Sequence, residues 1–147
     1  MDEVSCYCAN LRRAALALTA IYDDALAPHG MKVTQFSLLH AVERRGRANL
    51  TALSAGTGLD RSTLGRNLRV LEGMGLVTLS PGDDQRDRVA ALTPRGRTRL
   101  RAATRTWKGI QESLAGTLGE DAPRLVEATR RVARLARHPD PAPEASP

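Results

Sequence analysis

The sequence predicts a mainly α-helical protein that carries one small β-hairpin. Apolar residues recur at helical spacing over most of the chain, and Gly and Pro separate the helical segments. One pair of short β-type runs flanks a charged turn near residues 80–88. At 147 residues the chain is long enough to bury a core, and we expect a single domain over residues 1–137.

The first helix is predicted over residues 5–27. Its apolar positions include Leu11, Leu18 and Leu26, and Pro28-His29-Gly30 ends it. Because Ala and Leu occupy more than one side of this helix, we expect it to pack against more than one neighbouring element. That pattern suits a dimer interface as well as a core.

The second helix is predicted to begin at Thr34, a residue type suited to the N-cap. Gly46 is expected to end it, and a short helix over residues 50–57 follows. The inward positions of the second helix are Phe36, Leu39, Ala41 and Val42.

The next helix opens after Asp60, which is predicted to cap it. Leu64, Leu68 and Leu71 fall at i, i+4 and i+7 and are expected to pack inward. The residues turned away from that stripe are Ser62, Thr63, Arg66, Asn67 and Arg69. Side chains of these types reach base edges and phosphates. Two helices joined by a turn that contains Gly58 therefore form a helix-turn-helix pattern, which predicts DNA binding.

The hairpin comprises the β-type runs 76–79 and 89–92, with Pro81-Gly82-Asp83-Asp84 supplying the turn. Thr93-Pro94 then begins a linking helix over residues 94–118, with Thr at the N-cap and Pro at the first helical position. Six basic residues and no acidic one lie between Arg95 and Lys108. Positive charge is therefore expected along this helix.

A last helix is predicted over residues 121–137, followed by a tail over residues 138–147. The helix is apolar on one side, although it has no pattern typical of DNA contact. The tail has four prolines in ten residues and is expected to be disordered.

Three runs carry a resemblance to a known family: RSTLGRNLRVLEGMGLV, DDQRDR and VAALTPRG. They resemble the recognition helix, the wing and the following helix start of MarR-type winged helix-turn-helix regulators, and the likeness extends over about residues 5–137. The family's wing signature, Asp-x-Arg-Asp-x-Arg, appears here as Asp84-Gln85-Arg86-Asp87-Arg88, with the last arginine one position early. A second departure is Gly65, where many relatives carry a larger residue.

The resemblance implies a winged helix-turn-helix over residues 34–92 and a twofold dimer formed by the helices 5–27 and 121–137. The recognition helix would enter the major groove, and Arg86 would reach the minor groove. The expected DNA-binding residues are Ser62, Thr63, Arg66, Asn67, Arg69, Arg86 and Arg88. The expected partner is double-stranded DNA with an inverted-repeat operator, and repression is the usual outcome in the family.

The signal that releases the DNA has three candidate sites. Cys6 and Cys8 form a candidate redox sensor, although two helical residues at i and i+2 point to nearly opposite sides. Metal sensing by these cysteines with His29 or His40 is an alternative without a dense ligand spacing. Trp107 is a candidate wall of a pocket for a small aromatic ligand between the DNA-binding lobe and the dimer helices. The alternative interpretations are that Cys6 and Cys8 are ordinary free thiols and that Trp107 only packs against its neighbours.

Composition and the absence of known motifs limit the remaining classes of function. The formal net charge of +6 favours an anionic partner. No phosphate loop, HExxH motif or nucleophile motif is present, and the three histidines are scattered, so we expect neither enzyme activity nor a cofactor or resident metal. Without a long apolar run or a leader pattern, we expect a cytoplasmic protein with no membrane partner. A winged helix used for protein contact is the remaining rival.

Overall fold

The computed structural model describes residues 6–84 and 87–135. Within them the chain forms six α-helices and one three-stranded antiparallel sheet, which confirms the predicted fold class. In chain order the elements are α1 (Tyr7–Leu26), α2 (Val33–Arg45), β1 (Arg47–Asn49), α3 (Leu50–Thr57), α4 (Arg61–Gly73), β2 (Val77–Pro81), β3 (Arg88–Leu92), α5 (Pro94–Leu118) and α6 (Asp121–Leu135), with a short 3₁₀ turn at Ala27–His29. The predicted tail over residues 138–147 lies outside the described residues.

The chain divides into two compact units at Lys108 and Gly109, within α5. The first unit holds α1 to α4, the sheet and the first part of α5. The second holds the rest of α5 and α6. No helix in the described part of the chain is long and apolar enough to cross a membrane.

The core of the first unit forms around one face of α4. Leu64, Leu68 and Leu71 are fully buried, as the i, i+4, i+7 spacing predicts. They belong to a cluster that also contains Leu26, Phe36, Leu38, Leu39, Val42, Leu53, Leu76, Val77, Leu92 and Leu100. Burying each Leu contributes about 1.5–3 kcal/mol. The opposite face of α4 is therefore held outward.

The prediction that Thr34 caps α2 is wrong, because the helix begins at Val33 with Lys32 at the N-cap. The backbone N–H of Val33 donates to Oδ1 of Asp23 in α1 at 2.7 Å, and the N–H of Lys32 donates to Oε1 of Gln35 at 2.9 Å. These acceptors satisfy two of the backbone N–H groups that the first turn of a helix leaves without an intrahelical partner. A side chain from another helix therefore decides where α2 begins.

The sheet contains one strand that the sequence did not predict. β1 pairs antiparallel with the middle strand β3, and Ala48 lies opposite Ala90. On the other side of β3, the hairpin partner β2 places Leu79 opposite the same Ala90. Three residues are too few to show strand alternation, so only the tertiary fold reveals β1.

The start of α5 is fastened to the base of the hairpin. Oγ1 of Thr93 accepts from the N–H of Gly96 at 2.9 Å, as an N-cap does, and donates to the carbonyl of Gly75 at 2.7 Å. Gly96 is buried, and a Cβ there would overlap the carbonyl oxygen of Leu76. Only glycine allows this close approach, which holds the hairpin against α5.

Candidate nucleic-acid interface

Asp60 organises the beginning of α4. Its Oδ1 accepts from the backbone N–H of Thr63 at 2.9 Å, and its Oδ2 accepts from the Thr63 hydroxyl at 2.6 Å. The hydroxyl bond is the main reason that the pKa of Asp60 is lowered, and the backbone N–H bond is the next. The predicted cap is therefore present and draws the Thr63 side chain into it.

The five outward residues of α4 differ in exposure and in whether their polar atoms already have hydrogen-bond partners. Ser62, Arg66 and Arg69 are exposed, and the two arginines have no ion pair or hydrogen bond from the side chain to any residue in 6–84 or 87–135. Asn67 donates from Nδ2 to the carbonyl of Thr63 at 2.9 Å. Because the Thr63 hydroxyl proton and one Asn67 N–H are used within the helix, α4 offers an external partner chiefly Ser62 and the two guanidinium groups.

Asp87 links the hairpin to the recognition helix. Its Oδ1 lies 3.9 Å from Nη2 of Arg61 and accepts from the N–H of Arg88 at 3.0 Å. Its backbone accepts from Gly82 and donates to Asp84, both at 2.8 Å, which closes the hairpin end. Arg61 was not among the residues predicted to contribute to the site, because no local pattern relates it to the hairpin. Arg86, predicted to enter the minor groove, lies outside the described residues.

Arg69 and Arg88 line one crevice of about 200 Å³ between α4 and the hairpin. Glu72 also lines it and accepts from the N–H of Leu79 at 3.1 Å through Oε1, which ties α4 to β2. Nothing lies within 4 Å of the Cβ position at Gly65, so a methyl group there meets open space. Because Arg88 lines this crevice together with residues of α4, the first residue of β3 lies beside α4.

Cys6 and Cys8 are free thiols at the beginning of α1. Cys6 is the N-cap residue, with an extended backbone (φ −74°, ψ 110°), whereas Cys8 lies in the first helical turn and is exposed. The objection that two helical residues at i and i+2 point apart therefore does not apply to this pair. Residues 6–84 and 87–135 contain no group of three His, Cys, Asp or Glu side chains arranged to hold a metal ion.

Trp107 lines a cavity of about 330 Å³ in the first unit. Its ring is stacked on Phe36, with centroids 5.9 Å apart and planes at 27°, and Phe36 lies 6.1 Å from the ring of His40. The other lining residues are Ser37, Ala41, Arg44, Gly56 and Thr57. The cavity thus has aromatic walls and a guanidinium group, and it adjoins the end of α3, just before the turn to α4.

Comparisons with known proteins agree with this arrangement. The sequence profile of the MarR family matches residues 29–87. A comparison with curated protein sequences found no match. Among solved structures, the M. tuberculosis transcriptional regulator MosR in complex with DNA is 36% identical, with a TM-score of 0.83 over 90% of this chain and 97% of that one.

Two further structures are of CouR. The transcriptional repressor bound to a 23-mer DNA duplex is 26% identical, with a TM-score of 0.79 over 91% of this chain and 96% of that one. CouR from Rhodococcus jostii RHA1 bound to p-coumaroyl-CoA is matched at 20% identity, with a TM-score of 0.74 over 97% of this chain and 99% of that one, and this likeness bears on the fold alone.

Proposed function

The chain belongs to the MarR family of DNA-binding transcriptional regulators, and from this premise we propose that it is a dimeric repressor of an inverted-repeat operator. One observation carries the proposal. α4 is fixed by three buried leucines on one face and presents Arg66 and Arg69 on the other, without partners in the described part of the chain.

In the proposed complex, α4 occupies the major groove. The guanidinium groups of Arg66 and Arg69 donate to guanine edges or phosphates. Thr63 accepts from base amino groups, because its own proton is held by Asp60. Arg88 is the first residue of β3, and Arg86, two positions earlier in the sequence, takes the minor groove, whose negative potential attracts arginine. Affinity is expected to fall steeply with added salt, because phosphate neutralisation releases counterions.

Exposed apolar side chains on the end helices support dimerisation. On α1, Leu16 is 66% and Ile21 45% exposed. On α6, where no residue is buried, the exposed apolar residues are Leu125, Val126, Val132 and Leu135. Exposed apolar faces of this kind mark sites of contact with another protein surface. A twofold dimer would present two α4 helices about 34 Å apart, so the operator would be an inverted repeat.

The cavity beside Trp107 supports release by a small aromatic ligand. Phe36 and Trp107 offer ring faces, and Arg44 offers a charge for a polar substituent. A ligand changes DNA affinity only if it binds the DNA-competent and incompetent states differently. Because Gly56 and Thr57 line the cavity just before the turn to α4, an occupant is positioned to bias that turn.

The second candidate signal is an oxidant acting on Cys6 and Cys8. The extended backbone at Cys6 and the exposure of Cys8 favour it. Two thiols would lose two electrons and two protons to hydrogen peroxide, forming one disulfide and two molecules of water. The bond would form at the first turn of α1, a helix of the proposed dimer interface.

Selection of bound genomic fragments tests the proposal most directly. The purified full chain is mixed with sheared genomic DNA, bound fragments are sequenced, and the mass of the complex is measured. We expect enrichment of an approximate inverted repeat bound by two chains. Enrichment of single half-sites by one chain would contradict the dimeric mechanism, and no enrichment over bulk DNA would contradict a specific operator.

A further inference from the structure

A second concave site lies between the turn that follows α1 and one face of α5, in the first unit. It is an open groove with a volume of about 640 Å³. The lining residues are Ala27, Pro28, His29, Gly30, Arg95, Thr98, Arg99 and Ala102. We call it the Arg95/Arg99 groove. It shares no lining residue with the Trp107 cavity and none with α4.

The groove gathers positive charge that forms no ion pair within the described part of the chain. Arg95 and Arg99 are one helical turn apart on the same face of α5, and neither pairs with an acidic group in residues 6–84 or 87–135. None of the lining residues is acidic. Two carboxylates, Asp23 and Asp24, line a neighbouring groove, where Asp23 accepts from the N–H of Val33, and neither lines the Arg95/Arg99 groove. The two guanidinium groups are therefore available to an external anion.

Two features give the groove a defined shape. His29 is held by a 2.7 Å hydrogen bond between its Nε2 and Oγ1 of Thr106 on α5. Gly30 has a left-handed backbone (φ +65°), and Nη1 of Arg99 lies 3.4 Å from the position that a Cβ would take there. A side chain at residue 30 would be strained by this backbone conformation, and its Cβ would be in contact with this guanidinium group. Gly30 therefore leaves room for Arg99 at the groove wall.

We propose that the Arg95/Arg99 groove binds the phosphate group of a small organic phosphate monoester. Two guanidinium groups match the charge of a phosphate monoester, about −1.5 to −2 at neutral pH, better than the single charge of a carboxylate. Ala27, Pro28 and Ala102 provide apolar surface for the organic part. The site goes beyond the proposed repressor function, since it requires neither DNA nor an operator.

Calorimetric titration of the full chain with phenyl phosphate tests this site, with sodium chloride holding the ionic strength constant. We expect saturable binding that Arg99→Gln weakens about tenfold, since a charge-assisted hydrogen bond is lost. Arg101→Gln is the matched control, because it removes the same charge from another face of α5. The affinity of Arg101→Gln for phenyl phosphate is expected to stay within about twofold of that of the original chain. Equal weakening by both variants, or benzoate binding as tightly as phenyl phosphate, would overturn the proposal.

Two further readouts keep the test decisive. Amide chemical shifts of the original chain, titrated with phenyl phosphate, should move at residues 27–30 and 95–102, whatever the folding of the variants. Shifts confined to α4 or to the Trp107 cavity would reject the groove. In the absence of phosphate, Arg99→Gln and Arg101→Gln should bind DNA equally. A selective loss of DNA affinity in Arg99→Gln would assign the groove to the DNA backbone instead.

Discussion

The guanidinium Nη2 of Arg61 lies 3.9 Å from Oδ1 of Asp87, which joins the first residue of α4 to the hairpin. The Arg61 side chain is 60% exposed and that of Asp87 is 22% exposed. Solvent screens such a pair, so its direct contribution to stability is about 0–1 kcal/mol. We expect the pair to help orient the hairpin relative to α4, together with the bond from Leu79 to Glu72.

A double-mutant cycle with Arg61→Gln and Asp87→Asn should give a coupling free energy of unfolding below about 1 kcal/mol. The operator affinity of Asp87→Asn should nevertheless fall, because the hairpin loses one of its polar ties to α4, another being the bond from Leu79 to Glu72. Urea unfolding and fluorescence anisotropy with labelled DNA measure the two effects. Unchanged DNA affinity in Asp87→Asn would show that the pair does not position the hairpin.

Arg86→Ala should weaken operator binding by about 1–3 kcal/mol and leave the dimer intact. The expected loss comes from the contact of Arg86 with the minor groove. Anisotropy measures the affinity, and sedimentation measures the dimer. Arg101→Ala is the control for a general loss of charge. If Arg86→Ala binds as tightly as the original chain, Arg86 has no part in the mechanism.

Stability should fall in acid as Asp60 becomes protonated. Because folding lowers the pKa of Asp60, its contribution is present above the ordinary carboxyl pKa and is lost as pH falls through the lowered value. Urea unfolding between neutral and acidic pH should show this loss, and it should be smaller in Asp60→Asn, which keeps a capping oxygen without the charge. An identical pH dependence in the two proteins would contradict the assignment.

Gly96→Ala and Gly65→Ala should change stability in opposite directions. The methyl group at residue 96 meets the carbonyl of Leu76 and should destabilise the fold by about 1–3 kcal/mol or more. The methyl group at residue 65 meets open space, so better helix propensity should stabilise α4 by about 0.5–1 kcal/mol. Urea unfolding measures both. Equal effects of the two variants would show that the approach of α5 to the hairpin is less close than described.

Replacing Cys6 and Cys8 by Ser should abolish release from DNA by peroxide, if these thiols are the sensor. Anisotropy before and after peroxide, with recovery by dithiothreitol, measures the effect. Each single replacement should abolish release as well, because an intrachain disulfide needs both sulfur atoms. Release of the double variant to the same extent would exclude the thiol mechanism.

Local patterns predicted most of the elements and part of the site. The spacing of Leu64, Leu68 and Leu71 predicted the buried face of α4, and the residue types of Asp60 and Thr93 predicted its cap and that of α5. These features depend on neighbours within one or two helical turns, so the sequence alone expresses them. The outward placement of Arg66 and Arg69 follows from the same periodicity.

Only the tertiary structure decided the features that join distant residues. Asp23 sets the start of α2, Asp87 meets Arg61, and Gly96 packs on Leu76. The Trp107 cavity and the Arg95/Arg99 groove likewise combine residues from separate elements. Such contacts have no sequence period, because chain folding brings their partners together from any separation. The sequence by itself therefore determined which helix presents arginine side chains outward, and the packing of α1, α2, α5 and the hairpin determined what surrounds that helix.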